Sequence, residues 1–303
     1  MHKPVLLDEV VQIAREISPR WILDGTFGRG GHTRALLDAC PGARVVAFDQ
    51  DVEAVRHAEQ AFASEILSGR LSPHHINFHD IAKFKGPEEG FDVILLDLGV
   101  SSPQLDQAER GFSFYHDGPL DMRMNRTQDL TAADIVNSWS EVELNGLFSA
   151  AGEIRRPQRV VRAIAHDRRE APFTSTRQLA GLIERVEGWR KKGFHPATQY
   201  FLALRMAVNN ELAGLEACVQ DFIRALSPTG RLLIITFHSL EDRIIKYAFK
   251  ESSQWGYPLF KKVITPSRDE ERENPRARSA KLRIFQRGSS DDARTVKRYS
   301  PVS

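Results

Sequence analysis

The chain has 303 residues, 41% hydrophobic and 27% charged, with a net charge of +2, the profile of one or two ordinary globular domains. Its two cysteines, Cys40 and Cys218, lie in apolar helical contexts, which reads as core thiols and excludes a disulfide framework or a metal site. No apolar run approaches the length of a membrane span and no signal peptide opens the chain, so a cytoplasmic protein with no membrane partner is expected.

His2 to Glu9 leads into a helix with Leu7, Val10, Val11 and Ala14 on one face. Trp21 to Leu23 is a short buried strand that runs into Asp24-Gly-Thr-Phe-Gly-Arg-Gly-Gly-His32, and a helix follows from about Thr33. Strand, glycine loop and helix form the cradle that α/β sheets use for nucleotide-like ligands. Glycine lets the backbone take positive φ and approach a ligand closely. Arg44 to Phe48 is the second strand, with Asp49 at its carboxyl end. A carboxylate there accepts both ribose hydroxyls of an adenosine, in hydrogen bonds worth roughly 1.5–3 kcal/mol each. Asp51 caps a helix that continues to about Ile66. A third strand is expected at His75–Phe78, followed by His79, Asp80 and Ile81. Phe91 to Leu96 is a buried parallel strand ending in Asp97. Asp24, Asp49 and Asp97 therefore share the carboxyl edge of a sheet, where such folds bind ligands.

The pattern changes after Gln104. Residues 105–128 are rich in Gly, Asp, Arg and aromatics and read as a long functional loop. Short helices are predicted next, one capped by Thr131 and one opened by the Ser140/Glu143 capping box and ending near Gly152. A basic helix with six arginines follows from Arg155 to Arg169, and another opens at Thr176. Residues 153–192 hold eleven Lys and Arg against five Asp and Glu, a local charge of +6. That excess fits phosphate contacts through Arg155, Arg156, Arg159 and Arg162, against the alternative of a solvated helix face. No strand is expected between about 105 and 195. Thr198 to Leu226 reads as one long helix, stopped by Ser227, Pro228, Thr229 and Gly230. Arg231 to Phe237 is a buried strand leading to His238, Glu241 and Asp242 at a helix start. Strands near 259–265 and 280–286, joined by the charged loop Arg268–Arg278, are predicted to pair as an antiparallel edge hairpin.

The predicted fold is α/β: a Rossmann-like sheet of seven strands, its last hairpin antiparallel, with an inserted all-helical domain. Residues 1–104 and 196–288 form the discontinuous sheet domain. Residues 105–195 form the insertion, and 289–303 a polar, disordered tail. The loop Gly28-Arg-Gly-Gly31 is not the dinucleotide fingerprint, which weakens a nicotinamide oxidoreductase, and the terminal hairpin favours an S-adenosylmethionine enzyme. Asp97 is then the catalytic candidate, since an acceptor on an exocyclic amine frees its lone pair for attack on a sulfonium methyl. A stacking ring is sought in Phe112, Phe114 or Tyr115. His32 reads as a cofactor contact or a helix cap. His238, Glu241 and Asp242 read more readily as capping than as a base. His195 has no metal-ligand partner, and no metal is assigned.

These strings resemble the ribosomal RNA small subunit methyltransferase H family over nearly the whole chain. They are His2–Glu9, Asp24–His32, Leu96–Asp106, Glu109–Phe114, Asp117–Met124, His195–Thr198, Phe237–Arg243 and Asn274–Ser279. The resemblance implies S-adenosyl-L-methionine-dependent methylation of N4 of a decoding-site cytidine in 16S rRNA, on the 30S subunit. A non-catalytic ribosome-assembly factor that keeps the fold is the alternative. It also implies cofactor contacts from Gly30, Gly31, His32, Asp49, Asp97 and Gln104. Ile81 takes the place where the family has a Phe, and Asp80 is the second choice. The insertion is similar to the family's RNA-recognition domain, although Ala151 and Ile154 depart from its usual Tyr and Glu. Monomer and homodimer both stay open.

Overall fold

A computed structural model describes residues 3–188 and 195–289. The tail beyond Ser289 and the basic residues 190–192 lie outside the described residues. The chain divides into two compact units, Met1–Gly99 with Ala213–Ser303, and Val100–Leu212.

The first unit opens with α1 (Leu7–Arg15), β1 (Trp21–Asp24), α2 (Gly31–Ala39), β2 (Arg44–Asp49), α3 (Val52–Ala61), α4 (Ala63–Leu67), β3 (Leu71–His75) and β4 (Phe91–Asp97). Its α1 face differs from the expected one: Val10, Ile13 and Ala14 are buried, while Leu7 and Val11 are half-buried. Asp51 caps α3 by accepting from the Glu53 amide. The predicted third strand lies four residues too late. Leu71-Ser-Pro-His-His75 has one apolar position, but β3 is the outermost strand beside β2. An edge strand needs no continuous apolar run and tolerates Pro73. Phe78–Lys83 is a 3-10 turn, capped by the Asn77 side chain accepting from the His79 amide.

The second unit is helical: α5 (Ser102–Asp106), α6 (Ala132–Ser138), α7 (Glu141–Ala150), α8 (Gln158–Glu170), α9 (Thr176–Glu187) and α10 (Thr198–Val208). Its described residues hold no strand, only the isolated bridge Pro119–Ser175. Capping boxes at Thr131 and Ser140 open α6 and α7. The basic helix begins later than expected, since Pro157 is its N-cap and leaves Arg155 and Arg156 on the preceding segment. The core joins Ile135, Leu144, Phe148, Val161, Ile164, Leu179 and Leu204. The segment 105–128 is pinned within this unit. The buried Arg110 donates to the Arg123 and Met124 carbonyls at 3.1 and 3.2 Å. Asn209 accepts from the Met124 amide at 2.7 Å and donates to the Met122 carbonyl at 2.8 Å.

The first unit resumes with α11 (Leu215–Ala225), β5 (Leu226–Thr236), α12 (Ser239–Glu251), β6 (Gly256–Pro258), α13 (Arg268–Glu273) and β7 (Lys281–Arg287). The single helix expected over 198–226 is two. Asn210 and Gly214 take positive φ (52° and 74°), which breaks the helix between α10 and α11. Ser227–Gly230 bulges from the ladder between the Phe91–Leu226 and Val93–Arg231 pairs. The first strand of the edge hairpin is β6, at 256–258 and not 259–265; Ile264 makes only an isolated bridge to Leu282. The charged loop contains α13 and a 3-10 turn, Pro275–Ser279.

The sheet order is β3-β2-β1-β4-β5-β7-β6. The first five strands are parallel, and β7 runs antiparallel to both β5 and β6. Successive side chains on a strand point to opposite faces, and here both faces are covered. Val93, Leu95, Leu233 and Ile235 enter one core with α1 and α2. Ile94, Leu96, Leu232 and Ile234 enter the other with α11 and α12. That is why β4 reads as an apolar run from Val93 to Leu96. The polar ends of the parallel strands emerge at one edge.

Candidate functional site

The loop from β1 to α2 is built by its own hydrogen bonds. The Gly25 amide donates to the Leu95 carbonyl at 2.8 Å and the Phe27 amide to the Phe48 carbonyl at 2.9 Å, tying the loop to strands on either side. Gly28 and Gly30 have φ of +56° and +69°, a region costly for residues with a Cβ. A Cβ on Gly30 would also lie 2.5 Å from the Phe27 ring and 2.7 Å from the Phe62 ring. A Cβ on Gly31 would collide with Pro4. The two glycines thus let the N-terminus of α2 sit tightly under the loop, the arrangement that leaves amides for an anionic or polar ligand.

Three carboxylates close the edge. The buried Asp24 accepts from the Thr33 hydroxyl at 2.6 Å and the Thr26 amide at 3.1 Å. Burial pushes it to about 6 against those two bonds. Asp49 accepts from the Gly28 amide at 2.7 Å and the Asp51 amide at 2.8 Å. It too is raised to about 6, by burial, despite those bonds. Each oxygen keeps a second lone pair for a hydroxyl donor. Asp97, at the end of β4, has its amide on the Thr26 hydroxyl at 2.6 Å. Its Oδ1 is buried and has no hydrogen-bond partner in the protein. Burial, then the charges of Asp24 and Glu241, push its carboxyl up to about 8. A buried acceptor without a donor is costly, so this oxygen marks where a ligand N–H or O–H belongs.

His32 is 6% exposed and lies inside α2. Its Nε2 is 3.0 Å from the Val5 carbonyl, and its Nδ1 is 3.7 Å from Asp97 Oδ2. Burial lowers it to about 4, so the ring is neutral. It is not the cap of α2, a position held by Gly30. His238 is a cap: it precedes α12 and its Nδ1 accepts from the Glu241 amide at 3.4 Å. Glu241 is buried and accepts from the Phe237 amide at 3.0 Å. Asp242 is held by Lys281 and Arg283 at 3.1 and 2.7 Å.

Ile81 is 3% exposed and packs in the core with Leu23, Phe48 and Leu96. Asp80 is paired with Lys83 at 2.6 Å. Phe78 is half-buried and stacked on His79 at 4.4 Å, and its Cβ lies 3.7 Å from the point a Gly25 Cβ would occupy. The Asn77 cap opens the turn that carries Phe78.

The other candidates belong to the helical unit. Gln104 is buried, and its Oε1 accepts from the Ser101 amide at 3.0 Å to close the capping box of α5. Phe112 is buried in the helical core. Phe114 packs on His195 and Phe201, with centroids 4.4 and 4.9 Å apart. Tyr115 is 69% exposed and is the ring of the three open to stacking. Arg155, Arg156, Arg159 and Arg162 are all exposed. Arg168 is instead internal bracing, donating to the Val136 and Trp139 carbonyls at 2.8 and 2.7 Å. Ala151 and Ile154 pack against the helical core. Among the described residues, no cluster of three or more His, Cys, Asp or Glu is placed to hold a metal, and no helix is long and apolar enough to cross a membrane.

The chain matches the model of the MraW methylase family over residues 1–288. It is 52% identical over 294 residues to a ribosomal RNA small subunit methyltransferase H of Bdellovibrio bacteriovorus, covering 96% of this chain and 89% of the relative. It is 46% identical over 289 residues to a protein of the same name from Rippkaea orientalis, covering 95% and 92%. A solved rRNA methylase from Streptococcus thermophilus aligns at 10% identity with a TM-score of 0.43, covering 95% of this chain and 100% of that one.

Proposed function

The chain belongs to the MraW methylase family, and from that premise we propose that it methylates the exocyclic N4 amine of a decoding-site cytidine in 16S rRNA, in the cytoplasm and on the 30S subunit. The cofactor is S-adenosyl-L-methionine, which when bound supplies an electrophilic methyl group on a sulfonium. The Gly31 amide, the Asp49 carboxylate and the Phe78 ring are the groups suited to hold it, and Gly30, whose own amide donates to the Phe27 carbonyl at 2.7 Å, gives the turn without a Cβ that lets the ligand approach. Gln104 and His32 stand as further contacts by the family pattern.

The observation that carries the amine reading is Asp97 Oδ1, a buried acceptor without a donor at the carboxyl end of β4. A cytosine amine has its lone pair delocalised into the ring. An acceptor on its N–H draws the lone pair back toward nitrogen and orients it for attack. Asp97 offers that acceptor, and Thr26 fixes the backbone that carries it. The cytosine must leave the stack to reach it. The exposed arginines at 155, 156, 159 and 162 supply backbone affinity without reading sequence.

Replacing Asp97 with Ala tests the assignment. Methyl transfer to 30S particles is expected to fall at least about a hundredfold, the scale of removing one positioned acid–base group. Transfer at the wild-type rate contradicts it.

A further inference from the structure

The cluster around Asp97 carries more than an acceptor. The Val5 carbonyl can only accept, so His32 Nε2 bears the hydrogen of that 3.0 Å contact. The ring is neutral, and Nδ1 therefore turns a lone pair toward Asp97 Oδ2 at 3.7 Å. Two acceptors that face each other in this way repel. A proton on Asp97 turns the pair into donor and acceptor.

The other groups around Asp97 act in the same sense. Asp24 faces it from β1 and Glu241 from α12, and both disfavour a second negative charge. Among the described residues no lysine or arginine pairs with Asp97; its one titratable partner at short range is His32. We propose that Asp97 is a proton switch set by ligand charge: its carboxyl holds a proton toward His32 Nδ1 until a cation is seated at this sheet edge, and then ionises to become the acceptor for the substrate amine. This rests on the amine-methylation reading. Its physical basis is that an opposite charge within about 4–6 Å favours the ionised form, whereas burial and like charges favour the neutral one. The neutral form prevails in the ligand-free protein, where burial and the two carboxylates hold Asp97 near 8.

The step balances. The N4 lone pair forms the bond to the methyl carbon while the C–S pair remains on sulfur. The positive charge then on N4 is discharged when one N–H proton passes to Asp97. With no cation left beside it, Asp97 keeps that proton against His32 Nδ1 until products leave. His32 is a positioning residue here, and Asp97 the group that touches substrate.

Calorimetry on the full chain at pH 7, in two buffers of different ionisation enthalpy, tests this without turnover. Binding of S-adenosylmethionine is expected to release nearly one proton, about 0.9 for a group near 8. The release is expected to be absent with S-adenosylhomocysteine, which lacks the sulfonium charge, and absent in Asp97→Asn. Equal proton release by wild type and Asp97→Asn overturns the switch. His32→Gln keeps a donor for Val5 but removes the Nδ1 lone pair. It is expected to move the acid limb of the kcat profile to lower pH, whatever its effect on the S-adenosylmethionine Kd. An acid limb that stays in place overturns its positioning role. Proton release as expected, in a wild-type protein that transfers no methyl group to RNA, overturns the proposed function and leaves the switch standing.

Discussion

At the scale of single residues, the site is a place where burial and charge conflict, and its stability depends on pH. Asp97 titrates near 8 in the folded chain against about 3.9 when unfolded. The folded state therefore binds the proton more tightly. Its contribution to stability is complete below about pH 4 and is lost as pH rises to about 8. Asp24 and Asp49, at about 6, have lost theirs by that pH. Between pH 7 and 9 the ionisation of Asp97 is expected to cost about 1.4 kcal/mol. Denaturant unfolding of the ligand-free protein checks this: wild type should weaken over that interval relative to Asp97→Asn. Parallel curves would refute it. Gly30→Ala meets both positive φ and two rings, and should destabilise the fold by about 2 kcal/mol or more in the same assay. Asp24, Asp49, Asp97 and the glycines were legible in the sequence because each follows an apolar run that must be a strand. Phe78 was not, since Ile76 and Phe78 mimic strand alternation while Asn77 ends the strand by capping. The direction in which His32 points was not legible either, because Val5 reaches it only through the tertiary fold.

At the scale of elements, the arginines divide by what they touch. Arg155, Arg156, Arg159 and Arg162 are exposed around the start of α8. Replacing all four with Gln should weaken RNA binding and reduce the slope of log K against log salt, by about 0.7–0.9 for each phosphate no longer neutralised, with unfolding unchanged. Filter binding across salt concentrations reads the slope; an unchanged slope assigns them to solvent. Arg168 shares the helix but braces two carbonyls, so Arg168→Gln should cost about 1–3 kcal/mol of stability and leave the slope intact. The central strands were readable because both faces are buried. The edge strands β3 and β6 were not, because an edge relaxes the apolar requirement and admits Pro73 and Pro258. The break between α10 and α11 was available in Asn209, Asn210 and Gly214, but the apolar period runs across it. Asn209 is held by the Met122 and Met124 backbone, a partnership that no local pattern announces.

At the scale of the whole molecule, the seven-stranded sheet with its antiparallel last hairpin was legible in the order of strands and helices. The all-helical character of the second unit was legible in the loss of period-two patterning after Gln104. Family membership over residues 1–288 ties the sheet to methyl transfer, and the relatives at 52% and 46% identity are named for ribosomal RNA. The choice of base and position rests on Asp97 and on the family pattern. Tritiated S-adenosylmethionine, incubated with the full chain and unmethylated 30S subunits, tests that choice directly, followed by nuclease digestion and identification of the labelled nucleoside. The account predicts label in N4-methylcytidine at one decoding-site position of 16S rRNA. Label on another base, on ribose, or nowhere would contradict it.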